Sequence, residues 1–531
     1  MGRIDVMRHP APRRCLIVLL GLLNMISVLL AQEQSTDSQV NEGAPEFASV
    51  FVPQGSWLHD TLRKLHALHL LPAQFDPSSI SVTQREAGRM LLWSIEEARQ
   101  DFPNLLSLTE LYWERFEEEF TRTARLLEGH SDPSILLGGS SVLVGYESAQ
   151  NALLGAHMSP GVSTGGDSGG PVPLSDVSAA VAKADLVFQF SPYASVLAGR
   201  ITPRWAGSDI TIQEGYVTLQ VGDVALWAGR RAPGYGPGSG GTIMLDGEVA
   251  VDGGGVVLTD GVVLPGFLNV LGPFRSEIFF SRLQRSGEII NPWFFGYRLS
   301  IAPHDRLELA INRAGMFGGA GNDLDTTFWR FMNAVLGAAP PDGFNFENQI
   351  ASGEIRYLAP LGSLPLSLYL EWGFEDWAGA YIENPGLIAG AEFGGFPELP
   401  EMSLGFEWTS FAGRDVTGRQ WFRHGEFEDN WTVRGRLLAH PLGGEGSEFR
   451  LFGGIDAVQA RLRGRWHVAF QDRGSTNLLA PDREGESWEI GGSLVARLWS
   501  AGEIVGRGMT RWSRTVDWHE MSAFAGLRIL F

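Results

Sequence analysis

The segment Phe295-Gly-Tyr-Arg-Leu-Ser-Ile-Ala-Pro-His-Asp-Arg-Leu-Glu-Leu-Ala-Ile-Asn312 decides the fold. Every second residue is apolar from Phe295 to Ile301 and again from Leu307 to Ile311, and the residues between them are mostly small or polar. Successive side chains of a β-strand point to opposite faces of the sheet. The two runs, joined by a short turn at Pro303-His304-Asp305, therefore predict a β-hairpin with one apolar and one polar face.

The rest of the chain indicates which kind of β protein contains this hairpin. In a soluble sandwich the apolar faces meet in a dry core, whereas in a membrane barrel they meet lipid and the polar faces line a wet lumen. The C-terminus favours the barrel, because the alternation from Ala523 to Phe531 ends on an aromatic residue and resembles the terminal strand of outer-membrane barrels. The 67 glycines, 31 phenylalanines and 17 tryptophans suit short strands, glycine turns and aromatic girdles.

The size of the barrel follows from the length of the alternating region, which begins near residue 134 and runs to residue 531. Roughly 20 to 24 residues for each strand and its connection give about 16 to 20 antiparallel strands. The fold class that we predict is mainly β: a large antiparallel transmembrane β-barrel of about 18 strands over residues 134–531, with a small N-terminal α-helical domain.

Residues 51–130 have helical rather than alternating spacing. Leucines recur at helical intervals between Trp57 and Leu71, and two capping-box patterns, Thr83 with Glu86 and Ser107 with Glu110, precede further apolar segments. Three short amphipathic helices are predicted. The histidines at positions 59, 66 and 69 lack a carboxylate pattern, which favours packing or surface roles over a metal site.

The N-terminus is typical of an exported protein. Four arginines precede the apolar run Leu16–Leu30, and the small residue Ala31 follows it, so residues 1–31 are predicted to be a secretory signal peptide. A retained membrane anchor is the alternative, but the run is shorter than the roughly 20 residues that a span requires. Residues 32–50 are polar and acidic and form a predicted linker. The only cysteine, Cys15, lies in the predicted signal, so the mature chain would have no disulfide and no cysteine metal site.

Several segments resemble the capsule-assembly Wzi family in order and spacing. They are Trp227-Ala-Gly-Arg230 followed by Tyr235-Gly-Pro-Gly238; Phe274-Arg-Ser-Glu-Ile-Phe-Phe-Ser-Arg282; Gly296 to Pro303 continuing through Leu307 to Arg313; Asn348-Gln349 through Tyr357; and Leu368-Tyr-Leu-Glu-Trp372 with Glu375-Asp376 and Ala378-Gly379. The set covers much of the predicted barrel. The sequence departs from the family pattern in the glycine-rich stretch Gly238–Gly254.

The resemblance implies a location and a function. It implies a barrel in the bacterial outer membrane, with the N-terminal domain in the periplasm, and a lectin-like role that holds capsular or extracellular polysaccharide at the cell surface. The partners expected from it are that polysaccharide, outer-membrane lipid and the polysaccharide-export machinery. No cofactor and no metal are implied. The net charge of −20 argues against a nucleic-acid partner.

A run of alternating basic residues is the first candidate binding site. Arg461, Arg463 and Arg465 alternate with apolar or small residues, which places them on one face of a strand, and that face is the lumen if the aromatic face meets lipid. Arg434 and Arg436 repeat the arrangement earlier in the chain. Forked guanidinium groups could bind uronate or other acidic groups. The alternative is a structural network with lumen glutamates such as Glu448 and Glu489.

Aromatic residues beside acids in predicted outer loops form the second candidate. Sugars pack their C–H faces on aromatic rings while carboxylates accept their hydroxyl groups. The candidates are Trp329 with Asp323 and Asp325, and Trp377 and Tyr381 with Glu375 and Asp376. Each aromatic residue could equally belong to a girdle at the lipid headgroups.

Two other functions compete with polysaccharide binding. The stretch Gly166-Asp-Ser-Gly-Gly-Pro171 has the letters of a serine-protease nucleophile motif, but it lies in a Gly-, Ser- and Pro-rich loop without the histidine and aspartate context that such a serine needs. We therefore predict that the protein is not an enzyme. The alternative function is a diffusion porin or transport channel for anionic solutes, in which the basic run would select the solute.

Overall fold

The computed structural model describes residues 47–75, 81–130, 139–150, 177–190, 197–206, 209–284, 289–321, 348–361, 364–375, 385–411, 420–423, 427, 430–433, 436–457, 461–479, 483–513 and 518–531. The predicted signal peptide, residues 1–31, and most of the predicted linker lie outside these ranges. No helix among the described residues is both long enough and apolar enough to cross a membrane.

Eighteen antiparallel strands form one closed sheet, in agreement with the predicted barrel. The first strand, β1 (Ser141–Gln150), pairs with the last, β18 (His519–Leu530), and this pairing closes the barrel. Closure leaves no strand edge unpaired. The strands between them are β2 (Val177–Phe190), β3 (Leu197–Ala206), β4 (Asp209–Val221), β5 (Val224–Arg231), β6 (Val251–Val263), β7 (Pro273–Arg282), β8 (Trp293–His304), β9 (Leu307–Phe317), β10 (Asn348–Leu361), β11 (Leu364–Glu375), β12 (Gly386–Phe393), β13 (Met402–Phe411), β14 (Gly446–Ala457), β15 (Leu462–Arg473), β16 (Gly485–Trp499) and β17 (Gly502–Ser513).

The two faces of the barrel differ as the hairpin pattern predicts. In β8 and β9 the apolar residues point outward, where Ile311 remains 55% exposed, and the polar residues point inward, where Arg298 is fully buried. Arg298 contacts Glu308 at 3.3 Å and Glu354 at 2.5 Å. The turn is Asp305–Arg306 rather than Pro303–Asp305, because β8 continues to His304. Exposed apolar side chains on the outer face are the arrangement expected where a barrel contacts lipid.

Among its described residues, the N-terminal region contains four α-helices, where three were predicted. They are α1 (Trp57–Ala67), α2 (Gln84–Asp101), α3 (Leu106–Glu119) and α4 (Thr121–Leu127). The predicted third helix is interrupted at Phe120, whose backbone leaves the helical conformation.

The two predicted capping boxes have different outcomes. The box of Thr83 and Glu86 is present at the start of α2. The box of Ser107 and Glu110 is wrong, because α3 begins earlier, at Leu106, directly after the 3₁₀ turn Pro103–Leu105. Ser107 therefore lies inside the helix, where its side chain cannot cap the first turn.

The helical domain covers one end of the barrel. Its own core is apolar and includes Leu62, Met90 and Phe116. Its polar contacts reach the short connections between strands: Ala73 N donates to Asp305 O at 2.8 Å, and Lys64 Nζ donates to Glu401 O at 2.5 Å. All of these connections lie at the same end of the barrel, because each joins an odd-numbered strand to the strand before it.

Two connections from the opposite end fold back into the lumen. The first inserted segment comprises residues 232–250, between β5 and β6, and the second comprises the described part of 420–445, between β13 and β14. Trp431 is fully buried, and its Nε1 donates to Met244 O at 2.8 Å. Large apolar residues of both segments pack on the inward faces of the strands: Tyr235, Ile243, Met244, Trp421, Phe422, Phe427 and Trp431 against Phe279, Phe294, Ile350, Ile388 and Phe411.

The second inserted segment corrects the prediction for Arg436. Arg434 and Arg436 were expected on a barrel strand, but Arg436 lies in a short ladder, Thr432–Val433 with Arg436–Leu437, inside the lumen. Arg434 itself lies outside the described residues.

Candidate functional site

A cavity of about 720 Å³ lies inside the lumen, between α1 and the inserted segments. Thirteen Lys or Arg side chains and eight Asp or Glu side chains line it. Basic side chains thus outnumber acidic ones among the residues that line the cavity, although the whole chain carries a net charge of −20. A volume of this size matches the roughly 300–1,000 Å³ of typical small-ligand sites.

The predicted basic run reaches this cavity only in part. Arg463 and Arg465, on β15, line the cavity, whereas Arg461 lies exposed just before the strand, with a positive φ of 53°. Arg463 Nη1 lies 3.3 Å from Asp60 of α1, and Arg465 binds Asp456 with both terminal nitrogens, at 3.1 and 3.0 Å. These two arginines are therefore occupied in fixing the helical domain and the barrel wall.

Asp60 is the acidic residue of α1 that meets this run. Burial would raise the pKa of its carboxyl group, but the hydrogen bond with His59 and the charges of Arg463 and Arg465 outweigh burial and hold that pKa below its usual range. Asp60 is therefore ionised at every physiological pH, so its ion pair with Arg463 persists.

Lumen glutamates form the structural network that was the alternative to binding. Glu489 lies 2.7 Å from His467 Nε2 and 3.2 Å from Arg450 Nη2, and it also accepts from Arg511 Nε. Arg450 Nε donates to Glu448 at 2.8 Å. A structural network of arginines and glutamates is thus the better description of this part of the wall.

Three cations lining the cavity are free of such partners. Within the described ranges, Lys183, Arg436 and Arg507 line the cavity and make neither a hydrogen bond nor an ion pair within 4 Å. The ten other lysines and arginines of the wall each contact a carboxylate. These three side chains therefore line the cavity without a direct ion pair.

Lys183 stands between two arginines. It lies directly opposite Arg204 on β3, and the pairing of β2, β1 and β18 places Leu143 and then Arg528 on its other side. Arg204 binds Glu147 at 2.6 Å and Arg528 binds Glu503 at 3.2 Å. Lys183 interacts with Asp185 and Glu214 only from beyond ion-pair distance, and Arg200 lies within 4 Å of both carboxylates. Like charges side by side on a sheet are destabilising.

Arg507 stands beside an aromatic ring. Its cross-strand partner on β18 is Phe524, which lines the same cavity. The Phe524 ring lies over the paired glycines Gly145 and Gly526, since a Cβ at either position would come within 2.7 Å of Phe524 Cζ. The two glycines let the ring lie flat along the wall with its other face toward the cavity.

Sequence reasoning did not identify Lys183 and Phe524. The alternation of the terminal strand assigns Phe524 to the lumen face, since Ala523 and Ala525 belong to the outer face, and a lone aromatic residue on a polar face was the available signal. The sequence does not indicate that Lys183 lacks an ion pair, because this depends on which carboxylates the neighbouring arginines contact in the folded barrel.

Most of the predicted outer-loop candidates lie outside the described residues: Asp323, Asp325, Trp329, Asp376, Trp377 and Tyr381, together with the motif Gly166–Pro171. Glu375 is described, at the end of β11, and it accepts a hydrogen bond from Phe422 N at 2.6 Å. Glu375 therefore anchors the second inserted segment to the wall.

Glu407, His440 and Glu448 bring their side-chain ligand atoms within 4.8 Å of one another. Their atoms are already engaged. Glu407 accepts from Ser239 N at 2.6 Å and from Tyr369 Oη at 2.7 Å, and His440 Nδ1 accepts from Leu442 N at 3.1 Å. The cluster holds both inserted segments in the lumen, and these bonds occupy the atoms that a metal ion would need.

The chain matches known proteins at the level of family and fold. The model of the capsule assembly protein Wzi family matches residues 166–454. The structure of Wzi from Escherichia coli, described as a carbohydrate-binding β-barrel involved in group 1 capsule assembly, has 15% sequence identity and a TM-score of 0.67, over 91% of this chain and all of that chain. At that identity the likeness establishes a common fold.

More distant barrels are also similar. OccK5 of Pseudomonas aeruginosa has 12% identity and a TM-score of 0.43, over 73% of this chain and 98% of that chain. OccAB4 of Acinetobacter baumannii has 9% identity and a TM-score of 0.41, over 73% and 97%. The curated proteins include no sequence that matches this chain.

Proposed function

Because this chain belongs to the capsule assembly protein Wzi family, we propose that it is an outer-membrane lectin-like protein, which binds capsular or extracellular polysaccharide and helps to attach the capsule at the cell surface. The barrel with its apolar outer face supports the membrane location. In this proposal the helical domain faces the periplasm, where it can meet the polysaccharide-export machinery, and the protein binds without catalysing a reaction.

The filled lumen is the observation that carries this proposal. Both inserted segments pack a dry apolar core against the inward faces of β2 to β13, and α1 enters from the other end to pair with β12 and β15. A diffusion porin needs a continuous aqueous path, which this arrangement obstructs among the described residues. Retention of a polymer at the surface requires no such path, and many weak contacts along a repeating chain suffice for affinity.

The proposal is tested by measuring polymer binding and conductance on the same preparation. The full-length protein, folded in detergent, is titrated with purified capsular polysaccharide of the source strain and with a neutral dextran as control. We expect saturable binding of the capsular polymer and no open conductance in planar bilayers. Steady ion conductance combined with no binding of any bacterial polysaccharide would overturn the proposal in favour of the porin.

A further inference from the structure

We propose that the lumen cavity binds a short acidic saccharide, whose carboxylate groups contact Arg507 and Lys183 and whose ring packs on Phe524. This inference rests on the proposed function and deepens it, because it names an acidic sugar as the ligand and places a site inside the barrel. Three independent observations support it: the cavity, the two free cations and the flat aromatic ring.

The ion pairing of the wall indicates an anion. The carboxylates that interact electrostatically with Lys183 are Asp185 and Glu214, and both lie within 4 Å of Arg200. Those that interact with Arg507 are Glu248, Asp60 and Glu147, none of them within ion-pair distance of it, so neither cation has an ion pair of its own. Removing such charges from bulk water costs free energy unless an opposite charge compensates them. A carboxylate in the cavity would supply that compensation, and a guanidinium group offers it a forked pair of donors.

The neighbouring ring indicates a sugar rather than an inorganic anion. Phe524 is directly opposite Arg507, and its half-buried ring lines the cavity. A pyranose presents an apolar C–H face beside its carboxylate, so one sugar unit can contact the ring and the guanidinium group at the same time. Phosphate or sulfate would gain nothing from the ring.

The spacing indicates more than one sugar unit. Arg507 on β17 and Lys183 on β2 are three strand steps apart, roughly 14 Å at about 4.8 Å per step. They also differ by four residues in register, because the row through Arg507 reaches β2 at Ala179, which adds roughly 13 Å along the strands. One sugar carboxylate cannot contact both cations over that separation, so the ligand needs at least two acidic units and a diuronate is the smallest probe.

The test uses the full chain refolded in detergent with the probe present, so that entry into the lumen is not limiting. The probes are digalacturonate, the neutral disaccharide galactobiose and inorganic phosphate, and tryptophan fluorescence reports binding. We expect saturable binding of digalacturonate alone, weakened about tenfold or more by Arg507→Gln and by Lys183→Gln, as charge-assisted hydrogen bonds are lost. Phe524→Leu should also weaken it, whereas Arg461→Gln removes an exposed charge outside the cavity and should have no effect.

The outcomes separate this inference from the proposed function. If the capsular polymer binds but digalacturonate does not, or if Arg507→Gln binds digalacturonate as well as the unchanged protein does, the lumen site is wrong and the lectin role stands. If phosphate binds as tightly as digalacturonate and Phe524→Leu changes nothing, the site is not a sugar site. Since Arg507 and Lys183 have no direct ion pair to lose, their variants should retain the unfolding temperature of the unchanged protein.

Discussion

At the scale of single residues, the partners of each charge decide its role. Arg298 is fully buried and contacts Glu308, Glu354 and Asn312, so it is part of the wall. Arg507 faces a cavity with no such contact, so it is available to a ligand. Both arginines lie on the lumen face, and the sequence does not distinguish them, because pairing depends on neighbours from strands far away in the chain.

Substitution of these two arginines should therefore change the free energy of unfolding by different amounts. We expect Arg298→Met to lower the free energy of unfolding by roughly 3 kcal/mol, since it leaves buried carboxylates without a counter-charge. Arg507→Gln should change it by less than about 0.5 kcal/mol. Urea unfolding in detergent micelles, followed by tryptophan fluorescence, measures both. Equal losses in the two variants would mean that Arg507 is also a structural residue.

Asp223 should make stability depend on pH. It lies in the turn between β4 and β5, where burial, the nearby Asp260 carboxylate and a hydrogen bond with it raise the pKa of Asp223 to about 6 from 3.8. A raised folded-state pKa favours the protonated folded protein, so the free energy of unfolding should fall as the pH rises from about 4 to about 6 and then level off.

The substitution Asp223→Asn removes this titration. At pH 7.5 we expect the variant to be more stable by about 1 kcal/mol, since solvent screens part of the roughly 1.4 kcal/mol that each pKa unit represents. At pH 4 the variant and the unchanged protein should unfold at the same urea concentration, because Asp223 is then protonated. A constant difference at both pH values would show that the effect does not come from this carboxyl group.

At the scale of secondary-structure elements, the sequence predicts what depends on local pattern. The pairing of β8 with β9 confirms the predicted hairpin. This hairpin was predictable because its two faces differ strongly in polarity. Strand β12 has no such pattern, since its outward residues are Leu, Ala, Ala and Phe and its inward residues are Gly, Ile, Gly and Glu, so the two faces differ little in polarity. The inserted segments were not predicted, because their aromatic residues become buried only when they pack inside the closed barrel and no local pattern shows this.

The two predicted capping boxes offer a matched test at this scale. In α2 the Thr83 side chain caps the helix and Glu86 caps in return, with Glu86 Oε2 accepting from Thr83 N at 2.8 Å. Thr83→Ala should destabilise the helical domain by about 1 kcal/mol, and Thr83→Ser should restore most of the loss. Ser107→Ala is the control, because that box does not form, and it should change stability by less than about 0.5 kcal/mol. Urea unfolding followed by far-ultraviolet circular dichroism, which reports helix, measures all three.

At the scale of the whole molecule, the structure is a barrel closed from within. The helical domain occupies the end that carries the short connections, and the inserted segments occupy the lumen from the other end. The resemblance to the family predicts the barrel and the helical domain, but it does not predict the segments that fill the lumen. The lumen is filled by residues 232–250, which overlap the glycine-rich departure, and by the described part of 420–445, and no alternation pattern predicts the positions of these segments.

The orientation in the membrane gives the last prediction. Outer-membrane barrels have short periplasmic turns and longer outer loops. The short connections here contact the helical domain, so we expect that domain in the periplasm. Because the only native cysteine is Cys15, in that predicted signal, a single introduced thiol reports the side of the membrane without further substitutions.

Two exposed positions at opposite ends of the barrel make the comparison. Gln100 lies exposed in α2, and Gln284 lies exposed beyond the end of β7, at the opposite end. A membrane-impermeant maleimide should label Gln284→Cys on intact cells, and Gln100→Cys only after the outer membrane is permeabilised. The reverse labelling would place the helical domain on the cell surface. In that case the short turns, rather than the long loops and inserted segments, would meet the polysaccharide, and the proposed tethering end would have to be reassigned.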